Sequence, residues 1–262
     1  MKKSIFKTIG ACSLFIGTQV VLGFVFLAIQ LFMHPELFEE MLTAGTAELL
    51  VNKIIIKASI QACITANVIL AIGILLHNIK KKTIHKYARK LTGKEIIIMS
   101  GLASGLWVVF NLLEQFLPKS EAYGSTTSAM FDNYPALFIL YASLLAPITE
   151  ELVCRLLVIE SFPREKGKIA VVISAIMFGL LHGNLQQAIP AIAIGLIIGL
   201  IYERSRNILL TIVFHIIFNS LSVIIMLIGN FYIMIGIATG IAVGVILYFK
   251  SDISEKLIAK NI

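Results

Sequence analysis

The chain has 262 residues, of which 58% are hydrophobic and 14% charged, and its mean hydropathy is +0.92. A soluble protein is about a quarter charged, so a water-soluble globule is excluded. Eighteen glycines and six prolines also exclude a collagen-like or Pro/Gly-rich disordered chain. The net charge of +7 is spread in short clusters between apolar runs, the pattern of membrane topology and not of a nucleic-acid footprint.

At roughly 20 apolar residues per crossing, the length allows about eight spans. In chain order the apolar runs predict helices at about Ile9–Met33, Ile54–Leu76, Ile96–Leu117, Pro135–Ile159, Ile169–His182, Gln187–Tyr202, Ile208–Ile228 and Phe231–Phe249. The expected architecture is an all-α, polytopic transmembrane bundle, a single membrane domain over residues 1–262. Lys2, Lys3 and Lys7 resemble a secretory n-region. The run that follows reaches Met33 and ends in His34-Pro35 with no small-residue cleavage pattern, so it reads as a first span that stays.

The basic residues orient these spans. Lys2, Lys3 and Lys7, then Lys80, Lys81, Lys82, Lys86, Arg89, Lys90 and Lys94, then Arg164, Lys166 and Lys168, Arg204 and Arg206, and Lys250, Lys256 and Lys260 make 18 of the 22. With eight spans they share one side, which places both termini in the cytoplasm of a multi-pass cell-membrane protein. The opposite loops carry Lys53, Lys119, Glu36, Glu39, Glu40, Glu48, Glu121 and Asp132. The cluster from Lys80 to Lys94 serves as a stop-transfer anchor and can also attract anionic headgroups of the bilayer. Cys12, Cys63 and Cys154 all lie in apolar runs and read as small buried hydrophobes.

Ionisable groups within a span are expensive and mark function by default. Lys57 and Glu114 lie near a span end and have a bland explanation in snorkelling. The fourth span differs. Thr149-Glu150-Glu151-Leu152-Val153-Cys154-Arg155 places Glu151 and Arg155 on one helix face as a self-neutralising pair. Glu150 points about 100° away, with no helix-mate. The fifth span ends Phe178-Gly179-Leu180-Leu181-His182, and the seventh holds His215-Ile216-Ile217-Phe218-Asn219. Counted from the basic loops, Glu150 lies roughly 15 Å deep, His182 about 21 Å, His215 about 14 Å and Asn219 about 20 Å. All four therefore fall in one layer.

The ordered set Glu-Glu-x-x-x-Arg, Phe-x-x-x-His and His-x-x-x-Asn, over about Leu144 to Ser222, resembles the CPBP family of intramembrane proteases. That family contains the CAAX prenyl endopeptidases and bacterial relatives linked to bacteriocin processing and self-immunity. The resemblance implies a catalytic core at about 135–228 that hydrolyses a peptide bond of a membrane-associated peptide or protein. Glu150 and His182 would activate water, and His215 and Asn219 would hold the oxyanion. Glu151 and Arg155 would be structural, locking the fourth helix. Pro147 removes an intrahelical bond one turn before Glu150 and either opens that helix to water or kinks it passively.

No cofactor is expected. Zinc is the alternative, since glutamate and histidine are ligands for it, but His-Glu-x-x-His is absent and His215/Asn219 is a poor ligand pair. A non-catalytic scaffold or self-immunity protein is the competing function, and a transporter using Lys57, Glu114 and Glu150 is the third. The Lys/Ile-rich composition favours a membrane-associated peptide or leader over a prenylated substrate. Glycines at Gly101/Gly105, Gly195/Gly199 and Gly236/Gly240/Gly244 permit close helix contact, expected within one bundle.

Overall fold

The computed structural model describes residues 2–36, 39, 43, 52–80 and 84–259. Glu40, Glu48, Lys81, Lys82 and Lys260 of the topology argument lie outside the described residues. Among the described residues the chain is helical without strands. Its main helices are α1 (Lys2–Met33), α2 (Lys53–Lys80), α3 (Gly93–Glu114), α4 (Glu121–Asn133), α5 (Pro135–Ser161), α6 (Gly167–Leu180), α7 (Leu185–Ser205), α8 (Ile208–Ile228) and α9 (Phe231–Ala259).

Six of them, α1, α2, α3, α5, α7 and α8, are long and apolar enough to cross a bilayer. The other two expected spans are shorter. The apolar part of α9 is Phe231–Leu247, and α6 has 14 residues, about 21 Å at 1.5 Å per residue. The outward-facing side chains include Phe6, Val21, Phe24, Phe32, Ile72, Leu76, Leu113 and Phe116. In water that apolar surface would be an aggregation liability, whereas in lipid it is the solvated face.

Sequence decides the helix ends by ordinary capping. Thr92 and Glu95 form a capping box at α3, and Ser120, Asn184 and Asn207 cap α4, α7 and α8 through their side chains. Each satisfies a backbone N–H that the helix leaves unpaired. Helix α4 is absent from the sequence-based expectation, which treats this stretch as a loop. Its cues are Ser120 as cap, Glu121 in the first turn and the stop before Pro135.

The glycines explain how closely the helices approach. A Cβ at Gly195 would come within 3.1 Å of the Ala175 backbone, and one at Gly199 within 2.9 Å of Val171. Helices α6 and α7 thus pack as an antiparallel hairpin with backbones nearly touching, the small-residue mode of membrane helices. Gly101 and Gly105 do the same for α3 against Val245 and Ala242 of α9. The stripe Gly236/Gly240/Gly244 does not, because no atom of a neighbouring helix among the described residues lies within 4 Å of the positions a Cβ would take.

Contacts between helix ends gather the basic segments at one end of the bundle. Ser4 donates to the Ser161 carbonyl at 2.9 Å, Asn207 to the Arg89 carbonyl at 3.1 Å, and Arg206 to Glu160 at 2.6 Å. Lys94 lies 5.0 Å from the Phe249 ring. Tyr87, in the short helix Ile84–Tyr87, joins this end; burial and a hydrogen bond with Glu160 push its phenol up to about 12. At the opposite end Glu114, Lys119, Ser120 and Gln186 meet.

Candidate active site

Helix α5 is not a uniform α-helix. Two π-helical segments, Tyr141–Leu145 and Leu152–Val158, flank the α-helical stretch Ala146–Glu151 that carries both glutamates. Such π segments are rare and concentrate at functional sites. Pro147 contributes to the first, since it brings no N–H to the preceding turn. The carbonyl of Ala142 in that turn is taken by the Asn219 side-chain amide of α8 at 3.1 Å. Asn219 thus ties α8 to the loosened turn of α5, a contact that no local sequence pattern signals.

The expected pair forms. Arg155 Nε donates to Glu151 Oε2 at 2.8 Å and its Nη2 to Oε1 at 3.2 Å, with both side chains fully buried. A third donor, Nη1, reaches Ser174 Oγ of α6 at 3.0 Å, and Ser174 passes its own hydrogen to the Cys154 carbonyl at 2.9 Å. The guanidinium is therefore satisfied by two helices, as a buried charge must be.

Glu151 does more than pair with Arg155. His215 Nδ1 lies 3.0 Å from Glu151 Oε1, and His215 Nε2 lies 3.6 Å from Glu150 Oε2. The imidazole of α8 is clasped between the two carboxylates of α5. Glu150 thus has no partner on its own helix, as expected, but faces a histidine 65 positions further along. A carboxylate held by Arg155 can only accept, so Nδ1 of His215 carries a hydrogen. Its Nε2 can then face the Glu150 carboxylate only when it too is protonated, or when Glu150 is.

His182 lies beyond the last residue of α6, in the turn 181–184, and not within a helix. Its Nδ1 is 2.8 Å from the Phe178 carbonyl and therefore donates, which leaves Nε2 as an acceptor. The Phe178 ring meets the His182 ring edge-on at 5.0 Å and the His215 ring at 5.5 Å, so one aromatic side chain spaces both imidazoles. Gly183, at φ +70°, lets the chain turn from α6 into α7 in the left-handed conformation that glycine accepts most readily. Asn184 holds the turn by donating to the His182 carbonyl at 3.1 Å.

Three further residues border this site without having been expected there. Tyr141 of α5 lies near Cys63 of α2 and Glu150. Asn67 of α2 accepts from Thr149 through its backbone carbonyl at 3.1 Å. Cys63 is half-buried, unlike Cys12 and Cys154, which are buried as expected.

A zinc site needs three or four converging ligands, and no group of three His, Cys, Asp or Glu side chains converges among the described residues. The arrangement sets Glu150 beside His215 and holds the His182 and His215 rings against one Phe178 side chain.

Residues 132–221 match the family described as type II CAAX prenyl endopeptidase Rce1-like. The match runs from the end of α4 to Leu221 within α8, with every candidate site residue inside it. No curated protein and no solved structure gives a match.

Proposed function

We propose that this chain is a membrane protease of the CPBP family, with residues 132–221 as its Rce1-like segment, that Glu150 and His182 activate the hydrolytic water, and that His215 and Asn219 receive the oxyanion. The substrate is a peptide or protein embedded in or held at the membrane. The carrying observation is the 3.6 Å approach of His215 Nε2 to Glu150, with Nδ1 bonded to Glu151.

In this reading the Nε2 of His182 accepts one hydrogen of the water, its tautomer set by the Phe178 carbonyl. Glu150 removes the other proton as the oxygen adds to the scissile carbonyl carbon. The charge that leaves Glu150 reappears on the carbonyl oxygen, next to the His215 imidazolium. Glu150, Glu151, Arg155 and His215 together carry no net charge before the step, and the site with its oxyanion carries none after it. Preorganised charge compensation of this kind supplies most of the rate enhancement in many hydrolases. Asn219 has one amide hydrogen on Ala142 and a second for the oxyanion. Collapse of the intermediate breaks the C–N bond, and Glu150 returns its proton to the departing amine.

His215→Ala is expected to lower turnover roughly 10²- to 10³-fold, the cost of a lost oxyanion donor in soluble proteases, and Asn219→Ala to lower it less. Turnover should be the same with and without a chelator. The check is cleavage of a quenched fluorescent peptide with one lipid anchor in liposomes. Loss of all activity in chelator, restored by zinc, would overturn the metal-free reading.

The sidedness follows from the basic end of the bundle, which we place in the cytoplasm together with both termini. Single cysteines substituted at Lys86 and Lys94 in a cysteine-free background should resist an impermeant maleimide in intact cells, whereas one at Lys119 should label. The opposite pattern would invert the topology.

A further inference from the structure

Glu114 and Gln186 have no role in the chemistry above, yet they are joined across two helices at the end of the bundle opposite the basic segments. Gln186 Nε2 donates to Glu114 Oε1 at 2.8 Å, and Gln186 Oε1 accepts from the Ser120 backbone N–H at 2.8 Å. Lys119 donates to the Glu114 carbonyl at 3.2 Å and stands 4.0 Å from its carboxylate. One glutamine side chain therefore ties the first turn of α7 to the last residue of α3 and to the cap of α4. Four residues before Gln186 stands His182. The chain between them is a tight turn with Gly183 at φ +70° and Asn184 bonded to the His182 carbonyl. The position of the His182 ring is set on one side by Phe178 and on the other by wherever α7 begins.

We propose that Gln186 and Glu114 are positioning residues for His182: the clamp fixes the start of α7, and through the 181–184 turn it fixes the imidazole against Phe178 and His215. Glu114 serves as an acceptor and not as a charge. Its position explains why a carboxylate is placed at the end of a span, and it extends the catalytic assembly to α3, outside the segment 132–221. The inference rests on His182 being the histidine that holds the water for Glu150.

The test uses the full-length protein in liposomes with two readouts. One is kcat and KM on the lipid-anchored fluorescent peptide. The other needs no substrate: the rate at which diethyl pyrocarbonate modifies His182, followed by mass spectrometry. Gln186→Ala and Glu114→Ala should lower kcat about tenfold, short of the roughly 10²-fold that about 1 Å of misplacement costs, with KM and Tm unchanged. The modification rate of His182 should rise several-fold in both. Glu114→Gln keeps the acceptor and should behave as wild type. In the exchange E114Q/Q186E the donor and acceptor trade places while the acceptor for Ser120 remains, so both readouts should return to the wild-type value. Wild-type kcat and modification rate in Gln186→Ala would overturn the proposal, as would losses that merely follow a lowered Tm. Full cleavage by His182→Ala would instead sink the water-holding role of His182, leaving the modification rates to judge the clamp by themselves.

Discussion

Replacing Glu150 by Gln is expected to abolish peptide cleavage while the protein stays folded in the membrane. Glu150 is the one carboxylate of the site not committed to a guanidinium. Its side chain keeps 16% exposure, while that of Glu151 has none. Its Oε2 stands 3.6 Å from His215 Nε2, longer than a hydrogen bond, so the amide breaks no hydrogen bond to that ring. Gln is nearly isosteric and cannot accept a proton from water. General-base catalysis contributes about 10²- to 10⁴-fold, and without the base the nucleophile itself is not formed. The assay is cleavage of the lipid-anchored peptide, with thermal unfolding run alongside. Wild-type cleavage by Glu150→Gln would remove the hydrolytic mechanism and leave a scaffold or immunity protein that uses the same cavity.

Arg155→Ala is expected to lower the amount of folded protein sharply. It removes three donors at once, from Glu151 Oε1, Glu151 Oε2 and Ser174 Oγ. Among the described residues Glu151 is then a buried carboxylate with only His215 as partner. Breaking one side of a buried ion pair costs about 3–5 kcal/mol in soluble proteins, a large share of the usual stability margin. Glu151→Gln should be destabilising too, and it should also slow turnover in the molecules that do fold, since Glu151 sets the proton on His215 Nδ1. Arg155→Ala should leave turnover per folded molecule closer to wild type. Quantifying folded protein by detergent-extracted monodisperse yield and dividing activity by it separates the two effects. Normal yield with lost turnover in Arg155→Ala would move the guanidinium from the framework into the chemistry.

The contrast between these residues marks how far the linear chain reaches. Composition and the clustering of Lys and Arg determined the membrane class, the all-helical architecture and the gathering of basic segments at one end, because hydrophobic run length and charge act locally on each helix. The Glu151–Arg155 pair was equally legible, since residues four apart on a helix are neighbours whatever else the chain does. Glu150, His182, His215 and Asn219 were legible as candidates because polar groups inside apolar runs demand an explanation. Their partners were not. The bond from His215 to Glu151 joins residues 64 positions apart, that from Gln186 to Glu114 residues 72 apart, and that from Asn219 to Ala142 residues 77 apart. No helical period encodes such separations. They exist because glycine-lined faces of α6 and α7 and the π segments of α5 set how closely and at what rotation the helices meet. Tertiary packing likewise placed His182 in a turn and not in a helix, since α6 ends at Leu180 and Gly183 reverses the chain. It also turned Glu151 from a helix lock into the residue that decides which nitrogen of His215 holds a proton.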